Sequence, residues 1–211
     1  MNDLPEFPPS AFLKQDPSPD ARFYATPRFV THVDDAAIAS VTELYRKLFP
    51  PGGVILDLMS SWISHLPRDV AYGEVIGHGM NEEELAANGQ LTRHFVQDLN
   101  VNPVLPIDSA SIDAAAICVS VQYLQQPVAV LRDVARVLKP GAPVVITFSN
   151  RCFPTKAVAL WLALSDEQHA QLVAFYLQRA GFAAVETVPP GKIVSGQDPL
   201  YAVIGRTREA W

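Results

Sequence analysis

Two carboxylates stand in short apolar runs, Asp57 in Val54-Ile55-Leu56-Asp57-Leu58 and Asp98 just after Arg93-His94-Phe95-Val96-Gln97. An acid drawn into an apolar run needs a partner, so each marks a place where a cation or a hydrogen-bond donor is held. Ser60 and Ser61 follow Asp57 closely; their hydroxyls suit a carboxylate or an ammonium, and a helix starting just after them would add N–H donors for an anionic group. A second cluster, Ser149 to Lys156, gathers Asn150, Arg151, Thr155 and Lys156, a set suited to a carboxylate or phosphate, with Cys152 among the cations. Proton-handling candidates are Tyr24, His32, His65 and Tyr123, and the residue types single out none of them as a base. Each also fits a plainer role: Tyr24 in packing, His32 in a local bond beside Asp34-Asp35, His65 in a solvated loop. By the same standard Asp108 and Asp113 read as turn and strand-edge acids, and Glu82-Glu83-Glu84 as the complement of a helix dipole.

The elements that must hold these residues alternate along the chain. Asp34-Asp35 opens a helix with Ile38, Val41, Leu44, Tyr45 and Leu48 on one face, closed by Pro50-Pro51-Gly52-Gly53. The segment 54–58 is an apolar run with one acid in it, the mark of a strand buried on both faces, and strands are also read at 112–119 and 144–148. Shorter strands are expected at 74–77, 93–97, 182–188 and 201–204. Helices are expected at 81–88, where Asn81 and Glu84 have capping-box spacing, at 127–138 with Pro127 in first position, and after Ser165, which Gln168 follows at the same spacing. Such alternation implies an α/β fold, a doubly wound, mostly parallel sheet with helices on both faces, whose ligands bind outside the carboxyl ends of the strands.

Six of the 18 prolines fall in the first 27 residues, which sets residues 1–32 apart as an irregular arm, anchored by Phe7, Phe12, Phe23, Tyr24 and Phe29 and placed to act as a lid. Residues 33–211 make one domain. With 16 Lys+Arg against 22 Asp+Glu and no basic run, the chain is a poor partner for nucleic acid. The longest apolar stretch, 157–164, is too short for a membrane span and the N-terminus lacks a secretory pattern. Two cysteines are too few for a disulfide framework or a metal-type cluster. A cytoplasmic protein acting on a small molecule is expected, with its oligomeric state open.

The stretch 95–148 resembles the class I S-adenosylmethionine-dependent methyltransferases of the small type 11 kind. It is carried by Asp98-Leu99, by Leu105-Pro106-Ile107-Asp108-Ser109-Ala110-Ser111-Ile112-Asp113, by Val121-Gln122-Tyr123-Leu124 and by Arg132-Asp133-Val134-Ala135-Arg136-Val137-Leu138-Lys139-Pro140-Gly141. The resemblance implies a seven-stranded Rossmann-like sheet, S-adenosylmethionine as cofactor and methyl transfer to a small-molecule acceptor. It implies that Asp57 meets the cofactor's amino-acid end and Asp98 its adenine amine, with Met59, Ser60, Ser61, His78, Met80, Leu99 and Ser120 around them. Tyr24, Tyr123, Asn150, Arg151 and Lys156 are then the substrate candidates. The chain departs from the family in the first half: the three glycines expected after the first strand are replaced in Leu58-Met59-Ser60-Ser61-Trp62-Ile63, and Gly79, beside His78, stands where an acid usually holds the ribose. The alternative is a protein of this fold that binds without catalysing. A nicotinamide-dependent oxidoreductase is disfavoured, because the strand-to-helix turn lacks the G-x-G-x-x-G that a pyrophosphate requires.

Overall fold

The computed structural model describes residues 3–189 and 196–210. Seven strands, β1 (Val54–Leu58), β2 (Glu74–Gly79), β3 (Arg93–Val96), β4 (Ala114–Cys118), β5 (Pro143–Phe148), β6 (Ala184–Val188) and β7 (Tyr201–Arg206), form one sheet in the order β3-β2-β1-β4-β5-β7-β6. The first five are parallel and β7 runs antiparallel between β5 and β6. Strand order reverses between β1 and β4, which places the ligand-binding crevice at the ends of those two strands.

Why these segments pair is visible in their side chains. In β4 and β5, nine of eleven positions are apolar, and both strands are buried almost throughout, since each face of the sheet is covered. One face carries α2 (Asp35–Leu48), whose Val41 and Tyr45 reach the core with Ile55, Ala116 and Val145. The other carries α4 (Pro127–Val137) and α6 (Asp166–Ala180), with the short α5 (Ala159–Leu162) between them in the chain, packed with Leu56, Ile117, Ile146 and Val203. The caps are as expected at Asp34, whose side chain accepts from the Ala37 N–H, and at Ser165, which forms a reciprocal capping box with Gln168. Among the described residues no helix is long and apolar enough to cross a membrane.

Two expectations fail here. No helix follows Ser60-Ser61: residues 59–73 are irregular. His65 has φ +55° and Leu66 precedes Pro67, and both conditions oppose a continuing right-handed helix. The segment runs across the sheet instead, burying Leu66 among the α2-side core, so helix N–H donors are missing at that point. In α3 (Glu82–Ala87) the Asn81 side-chain Oδ1 accepts from the Glu84 N–H, but the Glu84 carboxylate turns away from the cap to the loop after β1.

The arm packs on the body throughout its described length. Its short helix α1 (Asp20–Phe23) follows a strap held by Lys156. That ammonium is fully buried and lies 3.0 Å from an Asp16 oxygen and 3.4 Å from Asp20, and it donates to the Ser18 carbonyl at 2.8 Å. Asp20 also pairs with Lys14 and accepts from Asn100 Nδ2. Farther on, Asn81 Nδ2 donates to the Tyr24 carbonyl and the Arg28 N–H donates to Glu84.

Candidate functional site

Beneath the arm, at the carboxyl ends of β1, β2 and β4, lies a cavity of about 340 Å³, within the range of small-molecule sites. Asp57 and Asp98 both line it, with Met59, Ser60, Ser61, His78, Met80, Leu99 and Ser120. Trp62 does not fill the space: its indole N–H donates to the Val30 carbonyl at 3.0 Å and its ring meets Phe29 edge-on, so it ties the arm down from the rim.

Asp57 is nearly buried, and burial pushes its carboxyl up to about 6 against the pull of hydrogen bonds from Ser60 and Ser64. It therefore holds a negative charge at neutral pH at a cost, the condition in which a ligand's ammonium is most welcome. Met59, at φ +59°, takes the left-handed turn that a glycine would otherwise supply. The loop then passes so close to β2 that a Cβ on Gly79 would meet the Ser60 carbonyl oxygen at 2.6 Å. Glycine at the aligned position of the ribose acid thus answers a steric need.

His78 is not available to a hydroxyl. Its Nδ1 accepts from the Met59 N–H at 3.1 Å and its Nε2 faces the Gln97 carbonyl at 2.9 Å, which fixes a neutral ring with the proton on Nε2. Burial pushes its pKa down to about 4. The ring is a brace between the ends of β1 and β3, which corrects its expected place beside the ribose. Ser120, in contrast, is buried with its Oγ unpartnered among the described residues, open to a ligand.

The substrate cluster separates. Tyr24, Tyr123 and Arg151 line the cavity, whereas Asn150 and Lys156 lie outside its wall. Lys156 is engaged by the arm, and Arg151 donates to Asp198 at 2.8 Å, so the anion site expected of this loop is not assembled. Burial raises the Tyr24 and Tyr123 hydroxyls and the Cys152 thiol, so none is ionised at neutral pH. Neither His32 nor His65 keeps its plainer role. The His32 ring packs edge-on to Phe153 at 5.5 Å without a hydrogen bond to the Asp34 cap, and His65 is largely buried with Nδ1 unpartnered among the described residues.

Three wall residues carried no signal of this role in the sequence. Glu84 accepts from the Arg28 N–H at 2.7 Å and from Ser61 Oγ at 2.6 Å, joining arm, β1 loop and α3. Arg28 lies over the Phe23 ring at 4.4 Å from its centre and donates to the Phe23 carbonyl. Asp20 closes the arm side. The partners of Glu84, and Asn100 and Lys156 beside Asp20, are tens of residues away, so no local spacing announces them; the capping-box position of Glu84 pointed to a different use.

Residues 60–146 match the family model described as a methyltransferase domain. The fold is similar to that of a SAM-dependent methyltransferase from Aquifex aeolicus (18% identity, 95% of this chain and 98% of that one, TM-score 0.59). It is also similar to the [4+2]-cyclase SpnF (16%, 81% and 82%, 0.59). A third likeness is Haemonchus contortus phosphoethanolamine N-methyltransferase 2, solved in complex with S-adenosyl-L-methionine, of whose chain 52% is covered by 81% of this one (12%, 0.57). No curated protein matches the chain. The matched segment runs from the loop after β1 into β5, less than half of the chain, and the seven-stranded sheet as a whole has the Rossmann-like methyltransferase fold that these structures share.

Proposed function

We propose that the protein transfers a methyl group from S-adenosylmethionine to a small molecule in the cytosol. The observation that carries this reading is strain at the cavity. Among the described residues four non-glycines have positive φ, and three of them, Met59 (+59°), His65 (+55°) and Val119 (+44°), stand in its wall. Such conformations cost on the order of 1–2 kcal/mol each and persist where the surroundings hold them for a use. A relic pocket filled by its own side chains would have no need of them.

The residues present fit the cofactor. Asp57 would receive the ammonium, with Ser60 and Ser61 beside the carboxylate; Asp98 and Leu99 would hold the adenine; Glu84, Met80 and Ser120 would face the ribose side. Bound there, the cofactor supplies an activated methyl on a sulfonium. The chain's own work is then alignment and exclusion of water: the arm covers the cavity, and rigid strand ends set the approach of the acceptor. A cytosolic setting is supported by Cys118 and Cys152, both free thiols, and a small acceptor by the closed arm and the net charge of −6.

Calorimetric titration with S-adenosylmethionine and S-adenosylhomocysteine tests the reading. Binding is expected, weakened by roughly tenfold or more in Asp57→Asn and Asp98→Asn, since each removes a charge-assisted bond. Silence up to millimolar ligand would overturn it in favour of a non-catalytic binding module.

A further inference from the structure

Around His32 the cavity wall is aromatic, and its charges are already engaged. Phe153 meets the His32 ring edge-on at 5.5 Å and stacks with Tyr123 at 6.0 Å. The Arg28 guanidinium rests on Phe23 and donates to the Phe23 carbonyl; Arg151 is paired with Asp198. Both Glu84 oxygens accept hydrogen bonds, and Asp20 is held by Lys14, Lys156 and Asn100. A cationic head group entering here would lose its hydration among carboxylates already engaged, and an anionic one would meet only Arg28, whose guanidinium is taken up by the Phe23 ring and by backbone carbonyls, which disfavours both. Against this, the His32 ring nitrogens have no hydrogen-bond partner among the described residues, so the wall keeps one open polar group.

We propose, resting on the methyl-transfer reading above, that the acceptor is an uncharged aromatic hydroxyl compound of the phenol class, lying against Phe153 with its hydroxyl on a His32 nitrogen, and that His32 takes its proton. In the transfer the acceptor oxygen gains the methyl carbon as the carbon–sulfur bond breaks; the electron pair of that bond stays on sulfur, the sulfonium becomes a thioether, and the hydroxyl proton passes to the imidazole and on to water. The groups acting on His32 are Arg28 on the arm, Glu84 on α3 and His65 on the β1–β2 loop, while Arg151 and Cys152 stand in the same cavity wall next to Phe153. His32 is exposed at the rim of the cavity; partial desolvation lowers its pKa against the opposing field of Glu84, with a smaller contribution from Arg28, so the ring is neutral and able to accept a proton. Because His32 belongs to the arm, the base arrives only when the cavity is covered.

Four one-ring probes test the acceptor class: phenol, benzoate, phenyl phosphate and benzylamine, titrated with and without S-adenosylhomocysteine. Phenol is expected to bind at least about tenfold more tightly than the three charged rings. His32→Gln and Phe153→Leu should each weaken phenol while leaving S-adenosylhomocysteine affinity unchanged. With S-adenosylmethionine and phenol, His32→Gln should lower turnover by about a hundredfold and abolish the acid limb of its pH profile. Preference for a charged probe, or a His32→Gln protein that binds phenol and responds to pH like the parent, overturns the proposal. Normal discrimination among the four rings with no S-adenosylhomocysteine binding would overturn methyl transfer and leave the aromatic subsite standing; the reverse result would remove the subsite alone.

Discussion

Asp57→Asn should make the ligand-free protein more stable at neutral pH and at the same time change how its stability depends on acidity. The folded-state carboxyl is pushed up to about 6 from the 3.8 of a free aspartate, chiefly by burial. Below about pH 4 it is protonated in both states and contributes nothing. Between about 4 and 6 the folded state keeps a proton that the unfolded state has lost, so stability falls as pH rises, and above 6 the full deficit of roughly 3 kcal/mol is in place. His78 acts in the opposite sense. Its folded-state pKa is near 4 against 6.5, again because of burial. It contributes fully above pH 6.5 and loses roughly 3 kcal/mol as pH falls to 4.

The two slopes nearly cancel between pH 4 and 6. Their cancellation predicts a flat region in the parent protein's urea-derived stability, from these two groups. Asp57→Asn removes one partner of that balance: it should add up to about 3 kcal/mol at pH 7 and expose a stability that drops steadily as pH falls from 6.5 to 4. The assay is urea unfolding by circular dichroism at half-unit pH steps for parent and variant. A variant less stable than the parent at pH 7, or a difference between the two that does not vary with pH, would refute the reasoning that the acid is held charged against its burial.

Lys156→Met leaves Asp16 without its cation and Asp20 with Lys14 alone; losing such a partner costs about 1–3 kcal/mol, and the population of undocked arm should rise roughly tenfold or more, read by hydrogen exchange at Asp16, whose N–H donates to the Thr155 carbonyl. Unchanged arm protection would show that the strap does not depend on the ammonium. Gly79→Ala drives a methyl into the Ser60 carbonyl oxygen at 2.6 Å and should lower stability by about 1–3 kcal/mol in urea titrations, with weaker cofactor binding because the loop beside Asp57 must shift. Val119→Gly, at φ +44°, relieves backbone strain and should stabilise the protein by about 1 kcal/mol in the same assay, while loosening the cavity wall enough to weaken cofactor binding.

The sheet was legible because buried parallel strands write themselves as apolar runs: β1, β4 and β5 lie inside or within a residue of the runs that announced them. Helix starts were legible where a cap is local, as at Asp34 and Ser165. The site was legible only where residue type and function share one location. Lys156 reads identically whether it faces water or Asp16, and the difference lies in a contact spanning 140 residues. Glu84 has the spacing of a cap and the partners of a clasp, because Arg28, 56 residues earlier, reaches it only once the arm folds over.

Asp57 and His78 show the physical reason most sharply. At the end of a buried sheet, main-chain groups leave the ladder and need partners before any ligand does. A polar side chain there first satisfies the chain, and only what remains of its bonding capacity is open to chemistry. His78 has two ring nitrogens, and the Met59 N–H and the Gln97 carbonyl take both. Asp57 accepts from the side chains of Ser60 and Ser64 and retains lone pairs and a negative charge. A polar residue near a strand end is thus a brace in β2 and a group with bonding capacity to spare in β1, and counting donors against acceptors at each strand end separates the two where residue type alone does not.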